Sequence, residues 1–209
     1  MSKNFTIGII VFDGVLTSEV IGPAEVFAMA GQREWFQGAQ VLLIGLEQKP
    51  TITTEEGIQL MVNATITDDL TLDVLIVPGG YEIDHLLENE QLNAFIHQQE
   101  ERVQWLGSVC AGAFVLGQAG VLDGKQATTW FGGEASLQTQ FPAIQVVHDK
   151  PVVVDNRRIT ANGGLVSYQA ALILLGKLSS SQKAKEVYQS LSMERLDHWE
   201  EIEAAIIDS

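Results

Sequence analysis

Cysteine is nearly absent: the 209 residues contain one, Cys110, so no internal disulfide can form, and no Cys/His pair shows zinc-ligand spacing. No metal and no other cofactor is called for. Positive charge is scarce too. Twelve Lys and Arg stand against 27 Asp and Glu, a net charge of −15 whose field repels phosphate backbones and anionic lipid headgroups. Nucleic acid and membranes are therefore not expected partners. Apolar runs such as "FTIGIIVF" and "DVLIVP" fall far short of a bilayer span, and "MSKNF" lacks the charged-then-apolar pattern of a leader. A cytoplasmic location is expected. Repeats and linker-like tracts are missing as well, so the length and the 46% hydrophobic content fit one domain over residues 1–209.

The chain alternates between two periods. Apolar, β-branched runs at 6–12, 40–46, 74–78, 103–109 and 157–161 read as strands. Helix-period segments fall at 18–30, 83–101, 111–119, 134–140, 166–178 and 182–191. Strands apolar on both faces, interleaved with helices, predict an α/β three-layer sandwich of flavodoxin-like type, with a mostly parallel sheet covered on both sides. The stretch "PTITTEEGIQLMVNA" (50–64) interrupts the alternation and reads as a small β-hairpin near the sheet edge. The tail "MERLDHWEEIEAAI" (193–206) reads as an amphipathic helix, with Leu196, Trp199 and Ile206 available for packing.

Ligands in open α/β sheets collect at the carboxyl ends of the strands. Three unusual segments fall there: "FDGVLTSEVIGP", "PGGYE" and "SVCAG". A strand, then Cys110, then Ala111-Gly112-Ala113 opening a helix is the layout of a nucleophile elbow, whose sharp turn demands small flanking residues. A helix terminus there would favour thiolate. Taken alone, a single cysteine is more often a small buried hydrophobe; the elbow context reverses that reading. The N–H groups of Gly79 and Gly80, with that of Ala111, are candidates for an oxyanion hole, although Pro-Gly-Gly is also an ordinary turn.

Glu19 lies in a helix expected to be capped by Thr17 or Ser18 and to bend or begin loosely ahead of Pro23, so its carboxyl can turn toward Cys110. The bland alternative is a glutamate complementing a helix dipole. Of four histidines only His85, just after the PGG loop, is a candidate for the site; Gly22, Tyr81, Trp130 and Asn162 are candidate pocket residues, with core packing the default for the tryptophan.

"LIVPGG" (75–80), "SVCAGAFVLGQAGVLDGKQATT" (108–129), "EVIGPAEVF" (19–27) and "RITANGGLVSYQAALILLGKL" (158–178) resemble the ThiJ/PfpI superfamily, a branch of the class I glutamine amidotransferase-like fold. Within it the chain looks most like isonitrile hydratases and the sensing domains of AraC-type regulators. The resemblance implies Cys110 as the elbow cysteine, Glu19 as the acid that contacts its sulfur, and Gly80 and Ala111 as backbone donors. It also implies a homodimer. Two departures stand out: Trp130 occupies the place where many members carry His, and Glu19 and Ala111 replace the Asp and hydroxyl residue usual in hydratase-like members.

The expected function is a cysteine-dependent reaction on a small electrophile, hydratase- or hydrolase-like, with Glu19 handling the proton. A non-catalytic ligand- or redox-sensing module is the rival. Amidase or peptidase chemistry ranks below both, since the imidazole partner is missing.

Overall fold

A computed structural model describes residues 4–196. Eleven strands and seven α-helices alternate along them: β1 (Thr6–Val11), α1 (Thr17–Gly31), β2 (Gln40–Gly45), β3 (Thr51–Thr53), β4 (Gln59–Met61), β5 (Ala64–Thr65), β6 (Val74–Val77), α2 (Asp84–Leu87), α3 (Glu90–Arg102), β7 (Trp105–Val109), α4 (Gly112–Gln118), β8 (Gln126–Ala127), α5 (Glu134–Gln140), β9 (Gln145–Val146), β10 (Val152–Asp155), β11 (Arg158–Ala161), α6 (Val166–Leu178) and α7 (Ser181–Ser190). The central sheet runs in the order β10-β11-β7-β6-β1-β2-β5, parallel throughout except where β10 pairs antiparallel with β11. Helices α1, α6 and α7 pack together, and α2 and α3 pack against α4, which lies on β6 and β7. Ile7, Ile9, Ile10, Val11, Val74, Leu75 and Val77 lose all exposure in the middle strands, as a doubly covered sheet requires.

Four details depart from the sequence expectation. The helix expected at 83–101 is two helices, because Asn89 turns extended and its side chain accepts the Leu92 N–H at 2.9 Å, capping a new start. The cap expected of Thr17 or Ser18 on α1 is supplied from elsewhere: Leu16 holds the cap position, and Glu56 Oε2 accepts the Thr17 N–H at 3.0 Å and its hydroxyl at 2.5 Å. The helix then runs through Pro23 without breaking. Strand β10 was not among the expected strands; Asn156, at φ 52°, makes the tight turn that folds it back on β11.

The 50–64 hairpin forms as β3 and β4, a separate two-stranded sheet. Its turn reaches back to the loop after β1, where Gly14 N–H donates to Thr53 C=O and Glu55 N–H to Val15 C=O. Of the tail, Met193–Arg195 is a 3-10 turn rather than the start of an α-helix; Trp199 and Ile206 lie outside the described residues. Among the described residues no helix is long and apolar enough to cross a membrane.

Candidate functional site

Four adjacent strands, β11, β7, β6 and β1, end beside one another, and the segments leaving them meet. The chain direction of travel across the sheet reverses at β1 and β6, where open α/β sheets form their crevice.

Cys110 follows β7 at φ 53°, a left-handed conformation that costs a non-glycine residue about 1–2 kcal/mol. Its N–H donates to Ala161 C=O at 2.8 Å and its C=O accepts the Thr129 hydroxyl at 2.8 Å. Small neighbours are required by contact. A Cβ on Gly112 would stand 1.9 Å from the Val77 carbonyl oxygen, and one on Gly79 would stand 2.6 Å from the Ala111 nitrogen. The thiol is free and half-buried.

Glu19 enters from α1, fully buried. Its Oε2 accepts the Gly79 N–H at 2.7 Å, so a donor expected to serve a substrate oxygen is occupied by the protein's own carboxyl. Its Oε1 makes no full hydrogen bond. A Cβ on Gly163 would lie 2.6 Å from that oxygen and 3.2 Å from the Cys110 sulfur, so carboxyl and thiol converge on the bare face of this glycine. Gly163, just after β11, was not among the candidate site residues.

Burial lifts the Glu19 carboxyl above the ordinary carboxylate range, against the pull of the Gly79 N–H, the thiol and the Gly164 N–H. The Cys110 thiol is pushed up to about 12, by burial first and the carboxylate second, with the Ala111 N–H pulling the other way. The thiolate-favouring effect expected of the helix terminus is thus outweighed, by burial first and by an ionised Glu19 in addition. The two groups share one crowded space and titrate as a pair.

The remaining candidates are placed as follows. Gly80 bridges to Val15, and its open side faces Phe12 and the Gly14 carbonyl. Gly22 lets α1 approach α6, since a Cβ there would lie 2.5 Å from Ser167 Oγ. Tyr81 is exposed. Trp130 stacks on Phe114 at 4.9 Å between ring centres and covers Gly133, which is core packing. His85 packs edge-on to Phe12 and lines a separate cavity of about 100 Å³ with Asp13, Glu47 and Lys49. Asn162 Nδ2 donates to the Thr129 carbonyl. A larger groove of about 960 Å³ runs along α6 and α7, lined by Leu165, Ile173, Tyr188 and Leu196 among others, away from the elbow. Among the described residues no cluster of His, Cys, Asp and Glu is arranged to hold a metal.

A mainly parallel α/β sheet with a cysteine at a strand-to-helix elbow defines the class. Residues 6–175 match the DJ-1/PfpI family, and the chain belongs to it. It is 34% identical over 161 residues to the isonitrile hydratase of Pseudomonas putida, an alignment covering 77% of this chain and 66% of that protein. It is 25% identical over 194 residues to the HTH-type transcriptional regulator GbdR of Pseudomonas aeruginosa, covering 91% of this chain and 51% of the regulator. The chain therefore spans about two thirds of the one and half of the other. A solved ThiJ/PfpI family protein from Pseudomonas syringae superposes with a TM-score of 0.80 at 25% identity, covering 93% of this chain and 76% of that one.

Proposed function

We propose that the protein is a cysteine-dependent enzyme acting on a small electrophilic carbon, with a hydration of isonitriles as the leading reaction. The observation that carries this reading is the convergence of Glu19 Oε1 and Cys110 Sγ on Gly163. A buried carboxyl oxygen with no full hydrogen bond is costly unless it carries a proton, and a protonated Oε1 has the sulfur beside it to donate to. The reactive form places the pair's proton on Glu19 and the charge on sulfur, where the Ala111 N–H receives it.

The steps then balance. Sulfur bonds to the isonitrile carbon while the Glu19 proton goes to that same carbon, giving a thioimidate. Water adds across the C=N bond, its hydroxyl to carbon and its proton to nitrogen. Collapse breaks the C–S bond, the electron pair returns to sulfur, the hydroxyl proton returns to Glu19, and an N-substituted formamide leaves. Similarity to the Pseudomonas putida hydratase supports the substrate class.

Isonitriles, aldehydes and dicarbonyls assayed with wild type and Cys110→Ser test the proposal. Turnover of one class that vanishes in the variant supports it; full turnover by the variant rejects it. A second reading, a redox- or ligand-sensing module, is favoured by the similarity to a transcriptional regulator together with the half-exposed thiol. Selective, reversible oxidation of Cys110 by limiting peroxide, with no turnover of any electrophile, would establish that reading instead.

A further inference from the structure

We propose that Thr129 and Asn162 are positioning residues that hold the Cys110 backbone in its left-handed turn and so keep the sulfur on the Ala111 N–H and beside Glu19. The inference rests on the reading of Cys110 as the reacting group.

The bonds form a closed ring. The Cys110 N–H donates to Ala161 C=O. The next residue, Asn162, donates through its side chain to the Thr129 carbonyl. Thr129 in turn donates its hydroxyl to the Cys110 carbonyl at 2.8 Å. Both backbone polar groups of the strained residue are thereby tied, the donor to the end of β11 and the acceptor to the segment after β8.

That segment is itself anchored at both ends. The Thr128 N–H donates to Thr160 Oγ1 at 2.8 Å, and Trp130 stacks on Phe114 of α4. Thr129 is fully buried, so its hydroxyl has no solvent to bond in place of Cys110. Asn162 is fixed in turn by its own N–H on the Pro151 carbonyl. A residue at φ 53° without these ties would relax toward ordinary backbone angles, and that rotation moves the side chain away from both of its partners. The tryptophan standing where the resemblance expects an imidazole therefore flanks a residue that acts on the cysteine through its backbone.

The test compares wild type with Thr129→Val, Thr129→Ser, Asn162→Ala and the Val/Ala double variant. The readouts are the pH profile of Cys110 alkylation by iodoacetamide and the thiolate absorbance titration, with circular dichroism and denaturant unfolding run alongside. Thr129→Val and Asn162→Ala are each expected to slow alkylation at neutral pH about tenfold, the scale one net hydrogen bond carries, and to move the profile to higher pH. Thr129→Ser keeps the hydroxyl and is expected within about twofold of wild type, and the double variant no slower than the worse single one, because Asn162 acts on the cysteine through Thr129.

Folded Val and Ala variants with the wild-type profile would overturn the proposal, as would a Ser variant no better than Val. Should Thr129→Val fail to fold, Asn162→Ala, at a half-buried turn, decides the matter by the same criterion. Wild-type Cys110 that resists alkylation at every pH would instead overturn the underlying reading, and that result needs no variant.

Discussion

Gly163 and Glu19 are in contact: the space a side chain at 163 would fill is taken by Oε1, 2.6 Å from the position of its Cβ. The same position lies 3.2 Å from the Cys110 sulfur, so the glycine is the wall against which acid and thiol are set. Its place in the chain follows β11, far in sequence from both.

Gly163→Ala is therefore expected to force the carboxyl away from the sulfur, because neither the β7 elbow nor the first turn of α1 can retreat. Unfolding should require about 1–3 kcal/mol less, the range for overpacking a filled site. Cys110 alkylation should change by more than stability accounts for. Chemical denaturation and the alkylation rate, measured on one sample, check both parts.

Glu19→Gln keeps an acceptor for the Gly79 N–H and places an amide beside the sulfur. The Glu19 carboxyl titrates above its ordinary value in the folded protein, so the folded state holds more protons than the unfolded one and stability falls as pH rises from about 4.5 through the folded value. The Gln variant should lack this fall and exceed wild type by about 1–2 kcal/mol at neutral pH. Stability curves of the two proteins at several pH values give the answer; parallel curves would exclude it. Turnover should be lost in the variant, since an amide cannot shuttle a proton.

Glu56→Ala removes the cap of α1. The loss expected is about 1 kcal/mol, the usual size for an N-cap. In wild type the Thr17 hydroxyl holds the Glu56 carboxyl below its ordinary range, so this stabilisation is present above about pH 4.5 and is lost as pH falls through the lower folded value. Thermal melts at pH 7 and at pH 3 should differ for wild type by more than for the variant.

Trp130→His restores the residue type that the resemblance expects, yet it is not expected to supply a catalytic base. The ring at 130 is stacked on Phe114 and covers Gly133. Losing that packing should cost about 2–4 kcal/mol, somewhat less than the roughly 3–5 kcal/mol for truncating a large aromatic to alanine, because the imidazole keeps part of the ring. A pH–rate profile acquiring a new limb near 6.5 would contradict this expectation.

Much of this arrangement was legible in the chain itself. Strands β1 and β6 were readable because they are buried on both faces and therefore nearly all apolar, and β2, β7 and β11 because each carries a short run of apolar or β-branched residues. The elbow was readable because its small residues are contiguous. The break between α2 and α3 was missed because "LLENEQL" keeps a helical period across it, and only the Asn89 cap reveals the new start. Short strands such as β5, β8 and β9 carry two residues each, too few for any periodicity to register. The Glu56 cap escaped notice for a different reason: Thr17 and Ser18 are good local caps, and nothing in their neighbourhood announces a carboxylate 39 residues away. His85 adjoins the PGG loop in sequence, but Phe12 stands against both Gly80 and the imidazole.

The sheet order carries a temporal implication. Acid, thiol and glycine wall come from three segments; the last to be synthesised follows β11, whose final residue, Ala161, supplies the carbonyl that receives the Cys110 N–H. A nascent polypeptide that has not yet emerged beyond β10 thus carries an ordinary cysteine. On the proposed reading, the sulfur meets its partners only when β11 pairs beside β7, which makes its reactivity a reporter of completed folding.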